Sequence, residues 1–230
     1  MAGSVIEHSY GNRDQLAEAL AAGVAAVLAG GIATRGRASL AVSGGSTPSL
    51  FFAHLAQADI DWRAVTVFLV DERYVPDDHE RSNARLVRGN LLFGPAEKAG
   101  FVPVWRPGIT VGTAAEEVEI ALRAFEDGVD ALILGMGTDG HTASFFEKGD
   151  TYERVTDPAC GELVLPVRTP EQPETRVTVT MPVIKQARFL ALHIEGDEKR
   201  DVFEKARRGE DMPITRVLNA VGELQYFWCP

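Results

Sequence analysis

The sequence predicts an α/β fold: a Rossmann-like, mostly parallel sheet with helices on both faces and a small β-rich subdomain. Three observations predict it. Apolar runs of strand length alternate with helix-length segments from the start of the chain to about Leu134. Four apolar runs end in loops dense in glycine and charge, as strands do when their carboxyl ends face a ligand. After about Gly149, strand-like runs follow one another with little helix between them.

Taken in order, Asn12 to about Leu28 reads as a helix, Ser39 to Val42 as a short strand and Pro48 to Gln57 as a helix. Val65 to Val70 is β-branched and strand-like, and Glu80 to Leu92 is helical. Phe101 to Val104, the helix Thr113 to Glu126 and the strand Ala131 to Leu134 complete the alternation. Beyond it, Leu163 to Val167, Arg176 to Thr180 and Phe189 to Ile194 read as strands, with a Pro-rich loop from Pro166 to Pro173 and a short helical stretch near Met181 to Ala187. Asp197 to Arg208 is a helix and Leu224 to Trp228 a final strand. No clean linker is visible, so one domain over 1–230 is expected, with about 150–195 forming the smaller β-rich subdomain.

Composition narrows the partners. The chain has 230 residues, 45% of them hydrophobic, enough for a large buried core. Lys plus Arg total 23 and Asp plus Glu 33, so the formal charge is 23 − 33 = −10. Such a surface repels nucleic acid and anionic lipid, which leaves neither as an expected partner. A small anion can bind only where positive charge is locally concentrated. Cys160 and Cys229 lie in no CxxC and have no histidine at metal-ligand spacing, so free thiols and a reducing compartment are expected. Met1 to Gln15 carries Glu7, Arg13 and Asp14 ahead of any apolar run and does not read as a signal peptide. Ala19 to Ala33, rich in alanine and interrupted by Gly23, Gly30 and Gly31, reads as a packed helix and not as a membrane span. A cytoplasmic location follows as an expectation.

The chemistry sits in the four loops. Ser43-Gly44-Gly45-Ser46-Thr47-Pro48 joins a strand to a helix, with Thr47 as the expected N-cap and Pro48 at the first helical position. Its glycines let backbone N–H groups approach an anion; a plain tight turn is the competing reading. Asp71-Glu72-Arg73 puts three charges directly after a buried strand, where they must be paired or face a cleft. Gly135, Gly137 and Gly140 match a dinucleotide-type G-x-G-x-x-G, but no acidic residue ends a strand about twenty positions on, so that reading ranks low. In the same turn Asp139 and His141 stand two residues apart, a spacing that suits a proton-carrying imidazole held by a carboxylate. His8, His54, His79 and His193 have no such setting and read as surface or core residues. The fourth loop, Gly196-Asp197-Glu198-Lys199, sets Lys199 in a first helical turn with Asp197 as its expected N-cap. A cation there opposes the helix dipole, and a bound anion would relieve it. Arg176, opening a strand, is a second cationic candidate.

The segments Ser43 to Pro48, Val70 to Pro76 with Ser82-Asn83, and Leu134 to Ser144 together make the chain resemble the 6-phosphogluconolactonases. It also resembles, more distantly, the glucosamine-6-phosphate isomerase/deaminase group that shares their fold. Weaker similarity continues at Arg176 to Pro182, Gly196 to Lys199 and Pro213 to Arg216. The resemblance implies hydrolysis of 6-phospho-D-glucono-1,5-lactone to 6-phosphogluconate in the pentose phosphate pathway, with no cofactor and no metal. It implies His141 as catalytic base with Asp139 in support, and Gly44, Gly45, Ser46, Thr47, Asp71, Arg73, Arg176 and Lys199 around the substrate and its phosphate. Backbone N–H groups near Gly137 to Gly140 are the expected oxyanion donors. Phe146 occupies the position, five after the histidine, where the deaminases tend to carry a carboxylate, which favours the lactonase. Two rivals stay open: an aldose–ketose isomerase or deaminase on an amino-sugar phosphate, with Asp71 as base, and a non-enzymatic sugar-phosphate-binding regulator. The oligomeric state stays open as well, a monomer included.

Overall fold

The computed structural model describes residues 3–125 and 127–230. Met1 and Ala2, in the opening stretch, and Glu126, the expected end of the fourth helix, lie outside the described residues. The strands are β1 (Ser4–Ser9), β2 (Ala38–Val42), β3 (Val65–Leu69), β4 (Asp71–Arg73), β5 (Gly100–Phe101), β6 (Ala131–Leu134), β7 (Val164–Val167), β8 (Arg176–Val179), β9 (Phe189–Glu195) and β10 (Glu223–Cys229). The helices are α1 (Arg13–Arg35), α2 (Ser49–Ala56), α3 (Asn83–Asn90), α4 (Val111–Arg123), α5 (Tyr152–Val155), α6 (Met181–Lys185), α7 (Asp197–Arg207) and α8 (Pro213–Ala220).

Seven strands form one sheet in the order β1-β10-β9-β6-β2-β3-β5, every neighbouring pair parallel. The four strands whose loops carried the chemistry are consecutive neighbours, β9-β6-β2-β3. From β2 the chain moves outward to β3 and β5, then returns to the other side of β2 with β6. The β2/β6 boundary is therefore the topological switch point, where loops leaving adjacent strands diverge and open a crevice. Val42 pairs with Ile133 there, and β2, β6 and the middle of β9 are buried, as strands covered on both faces must be.

The second sheet is antiparallel, in the order β4-β8-β7. It differs from the expected β-rich region at both ends. Phe189 onward, expected there, forms β9 inside the large sheet, while Asp71–Arg73, read as a loop, supplies an edge strand. Val70 joins the two sheets: its N–H donates to Val42 O (2.9 Å) and its carbonyl accepts from Val179 N (2.9 Å). Three elements went unread: the strand β1, which pairs with the terminal β10, and the helices α5 and α8.

Helix α1 runs past about Leu28, where the helix was first expected to stop, through the Ala19 to Ala33 stretch to Arg35. Asn12 caps it, accepting from Gln15 N at 3.0 Å, and Gly36 (φ 71°) ends it in the left-handed region. Gly31, which read as a break, is a packing device. A Cβ there would come within 3.1 Å of Ala38 Cβ and of Asp130 Oδ1, so glycine lets the helix lie close on the sheet. By length and composition α1 is long and apolar enough to cross a membrane, with mean hydropathy 1.9. Here it packs Leu16, Leu20, Val24 and Leu28 into the core against α2 and the sheet.

Opposite the crevice, Asp130 fastens β6 to β2. Its buried carboxylate accepts from Ser39 N (2.8 Å) and Ser39 Oγ (3.2 Å), and pairs with Arg35 and, at 3.7 Å, with Arg188. Replacing it strands buried donors, although both arginines can reach water. Asp130→Ala is expected to lower the unfolding free energy by about 2–3 kcal/mol, measured by urea titration. A loss under about 0.5 kcal/mol, the size of an ordinary surface substitution, would contradict this role.

Candidate active site

Period-2 alternation decides what β4 offers. Asp71 and Arg73 turn to one face, and Glu72 turns to the other. Antiparallel pairing then sets Arg73 directly opposite Arg176. Two like charges across a ladder repel, and this pair is poorly shielded, since Arg176 is 5% exposed. Neutral acceptors take part of each guanidinium. Arg73 Nη1 donates to Arg81 O (2.8 Å) and Asn83 Oδ1 (3.1 Å), and Arg176 Nη2 donates to Gln172 Oε1 (2.9 Å). Asp71 Oδ2 lies 3.7 Å from Arg176 Nη1 and accepts from Ser144 Oγ at 2.7 Å. The Nε of both arginines is buried without a partner. Burial pulls the Arg176 pKa down and Asp71 pulls it back up; a guanidinium stays charged regardless. The result is concentrated, incompletely neutralised positive charge in an acidic protein.

The loop after β2 meets this charge. Helix α2 begins one residue later than expected. Pro48 is the N-cap, already helical at φ −81°, ψ −2°, and its carbonyl accepts from Phe52 N at 2.8 Å. Thr47 therefore caps nothing with its side chain. Among the described residues, no N–H from Gly44 to Thr47 donates a hydrogen bond. Gly45 has φ 94°, and a Cβ on Gly44 would sit 1.9 Å from Asn83 Oδ1, so glycine is required at both positions for different reasons. Free N–H groups at a helix start are a ready anion site. Lys199 joins from α7 and makes no ion pair among the described residues. Its helix is capped by Gly196 (φ 89°) and not by Asp197, which lies inside the first turn.

The loop after β6 carries the proton chemistry. Gly137 N donates to His141 O (2.9 Å), closing a turn, and Gly140 N donates to Gly137 O (3.1 Å). Both N–H groups are thus spent on the turn, and the Asp139 N–H turns to its own carboxylate, so of the expected oxyanion donors only the Thr138 N–H remains free among the described residues. No helix starts here; the chain runs on through turns to α5, so the G-x-G-x-x-G match presents no helix N-terminus to a pyrophosphate. Asp139 Oδ1 meets His141 Nδ1 at 2.6 Å and also accepts from His141 N at 3.1 Å. Partial burial works to raise Asp139, but the charge and hydrogen bonds of His141 win and hold the carboxyl below its ordinary value. With Nδ1–H taken, Nε2 is the basic nitrogen. A Cβ on Gly137 would collide with the imidazole at 2.4 Å. Ala143 (φ 50°) adopts the left-handed region, a strained turn that lets Ser144 reach Asp71 and sets the Phe146 ring 5.0 Å from His141. From the unread α8, Ile214 N donates to Gly140 O at 3.0 Å and braces the loop.

Gly44, Gly45, Ser46, Thr47, Asp71, Arg73, His141, Arg176 and Lys199 line one crevice of about 280 Å³. Asp139 stands behind His141 and does not line it; its carboxylate meets the imidazole and the His141 N–H and is otherwise open to solvent. Asn83, Phe146, Gln172 and His193 also line the crevice and were not singled out as site residues. Ser82-Asn83 appeared among matching segments without a role; Gln172 lay in the Pro-rich loop, where nothing in sequence marks a ligand.

Fold and crevice define a class: a Rossmann-like α/β protein with a cation-lined crevice at its switch point and a carboxylate-supported histidine beside it. Residues 11–228 match the family described as glucosamine-6-phosphate isomerases/6-phosphogluconolactonase, and the chain belongs to that family. A 6-phosphogluconolactonase of Rhizobium meliloti (strain 1021) is 45% identical over 227 residues, covering 97% of this chain and 98% of its own. Another, from Mesorhizobium japonicum, is 46% identical over 225 residues, covering 97% and 94%. The crystal structure of a 6-phosphogluconolactonase from Shewanella baltica OS155 matches with a TM-score of 0.93 at 33% identity, over 100% of both chains.

Glu72, turned away from the crevice, positions its rim. Fully buried, it accepts from Arg73 N (2.7 Å), Asn83 N (2.8 Å), Ala84 N (2.7 Å) and Ser82 Oγ (3.0 Å), capping α3. Burial raises its pKa from 4.5 to about 7, against the opposing pull of those hydrogen bonds. Between these values the unfolded chain loses the proton while the folded chain keeps it. Stability therefore falls as pH rises through that window and levels off above it. Glu72→Gln is expected to remove this slope. The difference in unfolding free energy between variant and wild type should shift by on the order of 3 kcal/mol between pH 4.5 and 7.5. Parallel urea curves at every pH would refute it.

Proposed function

We propose that this chain hydrolyses 6-phospho-D-glucono-1,5-lactone to 6-phosphogluconate in the pentose phosphate pathway, acting as one catalytic unit in the cytoplasm. The observation that carries the reading is the shared crevice. Arg73 and Arg176, forced opposite each other by strand register, open beside an imidazole whose far nitrogen is held by a carboxylate. A phosphate relieves the like-charge contact, accepts from the unpaired Nε groups and from the N–H groups of Gly44 to Thr47, and draws in Lys199. Asp71, hydrogen-bonded by Ser144, faces the sugar hydroxyls.

With the phosphate end held, His141 Nε2 takes a proton from water, and the hydroxide attacks the lactone carbonyl. The tetrahedral adduct collapses as the imidazolium returns the proton to the departing ring oxygen. Asp139 keeps the reactive tautomer and steadies the charged ring. No cofactor or metal is needed, since the lactone is a strained, labile ester and general-base help supplies about 10²–10⁴-fold. Phe146 gives the imidazole an apolar neighbour at 5.0 Å, an environment without the extra carboxylate that proton transfer on an amino-sugar chain would use.

His141→Ala is expected to lower kcat by about 10²–10⁴-fold after subtraction of spontaneous hydrolysis, followed by proton release from freshly generated lactone. Asp139→Asn should cost less, on the order of 10–100-fold, because the carboxylate is largely solvated. An undiminished rate in a folded His141→Ala protein would overturn the assignment. Ammonia release from glucosamine 6-phosphate would redirect it to the isomerase reading.

A further inference from the structure

His193, which reads as a surface or core residue in sequence, is buried and lines the crevice. It sits near the end of β9, where Leu192 pairs with Leu134, so it stands beside Gly135 at the crevice rim. Its side chain is 2% exposed, yet the residue lines the crevice with Lys199 and the loop from Gly44 to Thr47. The Phe51 ring, one turn into α2, meets it edge-on at 6.2 Å. Away from the crevice, Nε2 lies 3.4 Å from Glu195 Oε1, within ion-pair reach, but neither atom completes a hydrogen bond. Glu195 in turn is held by Arg13, Oε2 to Nε at 2.5 Å. Burial works to raise the Glu195 carboxyl, and His193 and Arg13 keep it below its ordinary value, so it faces the ring as an anion. A buried imidazole with an anion behind it and a cation-lined crevice before it has no packing rationale; an apolar side chain would fill the site at lower cost.

We propose that His193 is a further ligand of the substrate phosphate, donating from its crevice-facing nitrogen while Glu195 holds the imidazolium from behind. Among the described residues, Glu195 on β9 faces the ring, with Arg13 of α1 behind it; Lys199 of α7, Arg73, Arg176, Asp71 and His141 share the crevice, Cys229 of β10 pairs with Glu195 in register, and α2 presents the Phe51 ring. Arg13 neutralises Glu195 in the resting protein, and an arriving dianion restores the favourable order of carboxylate, imidazolium and phosphate. The assignment rests on the phosphorylated-substrate reading above.

Titration of inorganic phosphate and of 6-phosphogluconate into the whole protein by calorimetry tests it without turnover. His193→Gln is expected to weaken both by about tenfold, the loss of one charge-assisted hydrogen bond. It should raise KM for the phosphorylated lactone by a similar factor, keep kcat within about twofold, and leave kcat/KM on unphosphorylated D-glucono-1,5-lactone unchanged. Glu195→Gln, which keeps the ring, should weaken phosphate by about two- to fivefold. Equal losses on both lactones would mean that His193 serves the sugar and not the phosphate, and would overturn the proposal. Unchanged phosphate affinity in a folded His193→Gln protein would overturn it too. If that variant does not fold, unchanged affinity in Glu195→Gln does the same. A wild-type protein inert toward the lactone would sink the lactonase reading alone, while the phosphate titrations still decide on His193.

Discussion

Ser43 and Gly135 lie side by side because β2 and β6 are parallel neighbours, with Val42 opposite Ile133. Ser43 N donates to Ile133 O at 3.0 Å, and Ser43 Oγ accepts from Gly135 N at 3.2 Å, so the contact continues past the last ladder residues. Every functional loop depends on this junction. On one side of it the chain leaves for β3 and the arginine-bearing β4; on the other it leaves for β9 and Lys199. Strand order alone forces the two loops apart and opens the crevice. Asp130, at the far end of the same strands, holds the register that this opening requires.

In and behind the crevice wall, the protein carries polar arrangements that oppose its own stability. Arg73 faces Arg176, Glu72 is buried with its pKa pushed to about 7, Ala143 is left-handed, and His193 is enclosed beside Glu195. Each is tolerated because the surrounding framework is apolar and fully packed, from Leu40 and Ala41 to Leu132 and Leu192. Such conflicts gather where a ligand is to be held, since groups satisfied by the protein itself would have nothing left to offer.

Lys199 and the Gly44–Thr47 loop were legible because their chemistry is local: a cation in a first turn and glycines before a helix follow from neighbours in the chain. The Asp139/His141 pair was legible for the same reason, and the 2.6 Å contact needs only the turn between them. Gln172 and Asn83 were not, because each becomes a site residue only through an arginine on another strand. Asp71–Arg73 was read as a loop, since three charged residues carry no strand pattern; pairing with β8 makes it one. Helix α1 was cut short because Gly30 and Gly31 look like breaks when the sheet beneath them is out of view.

Taken by itself, the chain determined its alternation of strands and helices, its acidic surface, the loops that carry reactive groups and the family it belongs to. These are properties of nearby residues and of composition, and they survive without knowing what touches what. Tertiary structure alone decided that Arg73 opposes Arg176, that Phe189–Glu195 belongs to the large sheet, and that His193 lines the same crevice as Lys199 and the Gly44–Thr47 loop. Each of these depends on register between strands far apart in sequence. A shift of one residue would turn every such side chain to the opposite face.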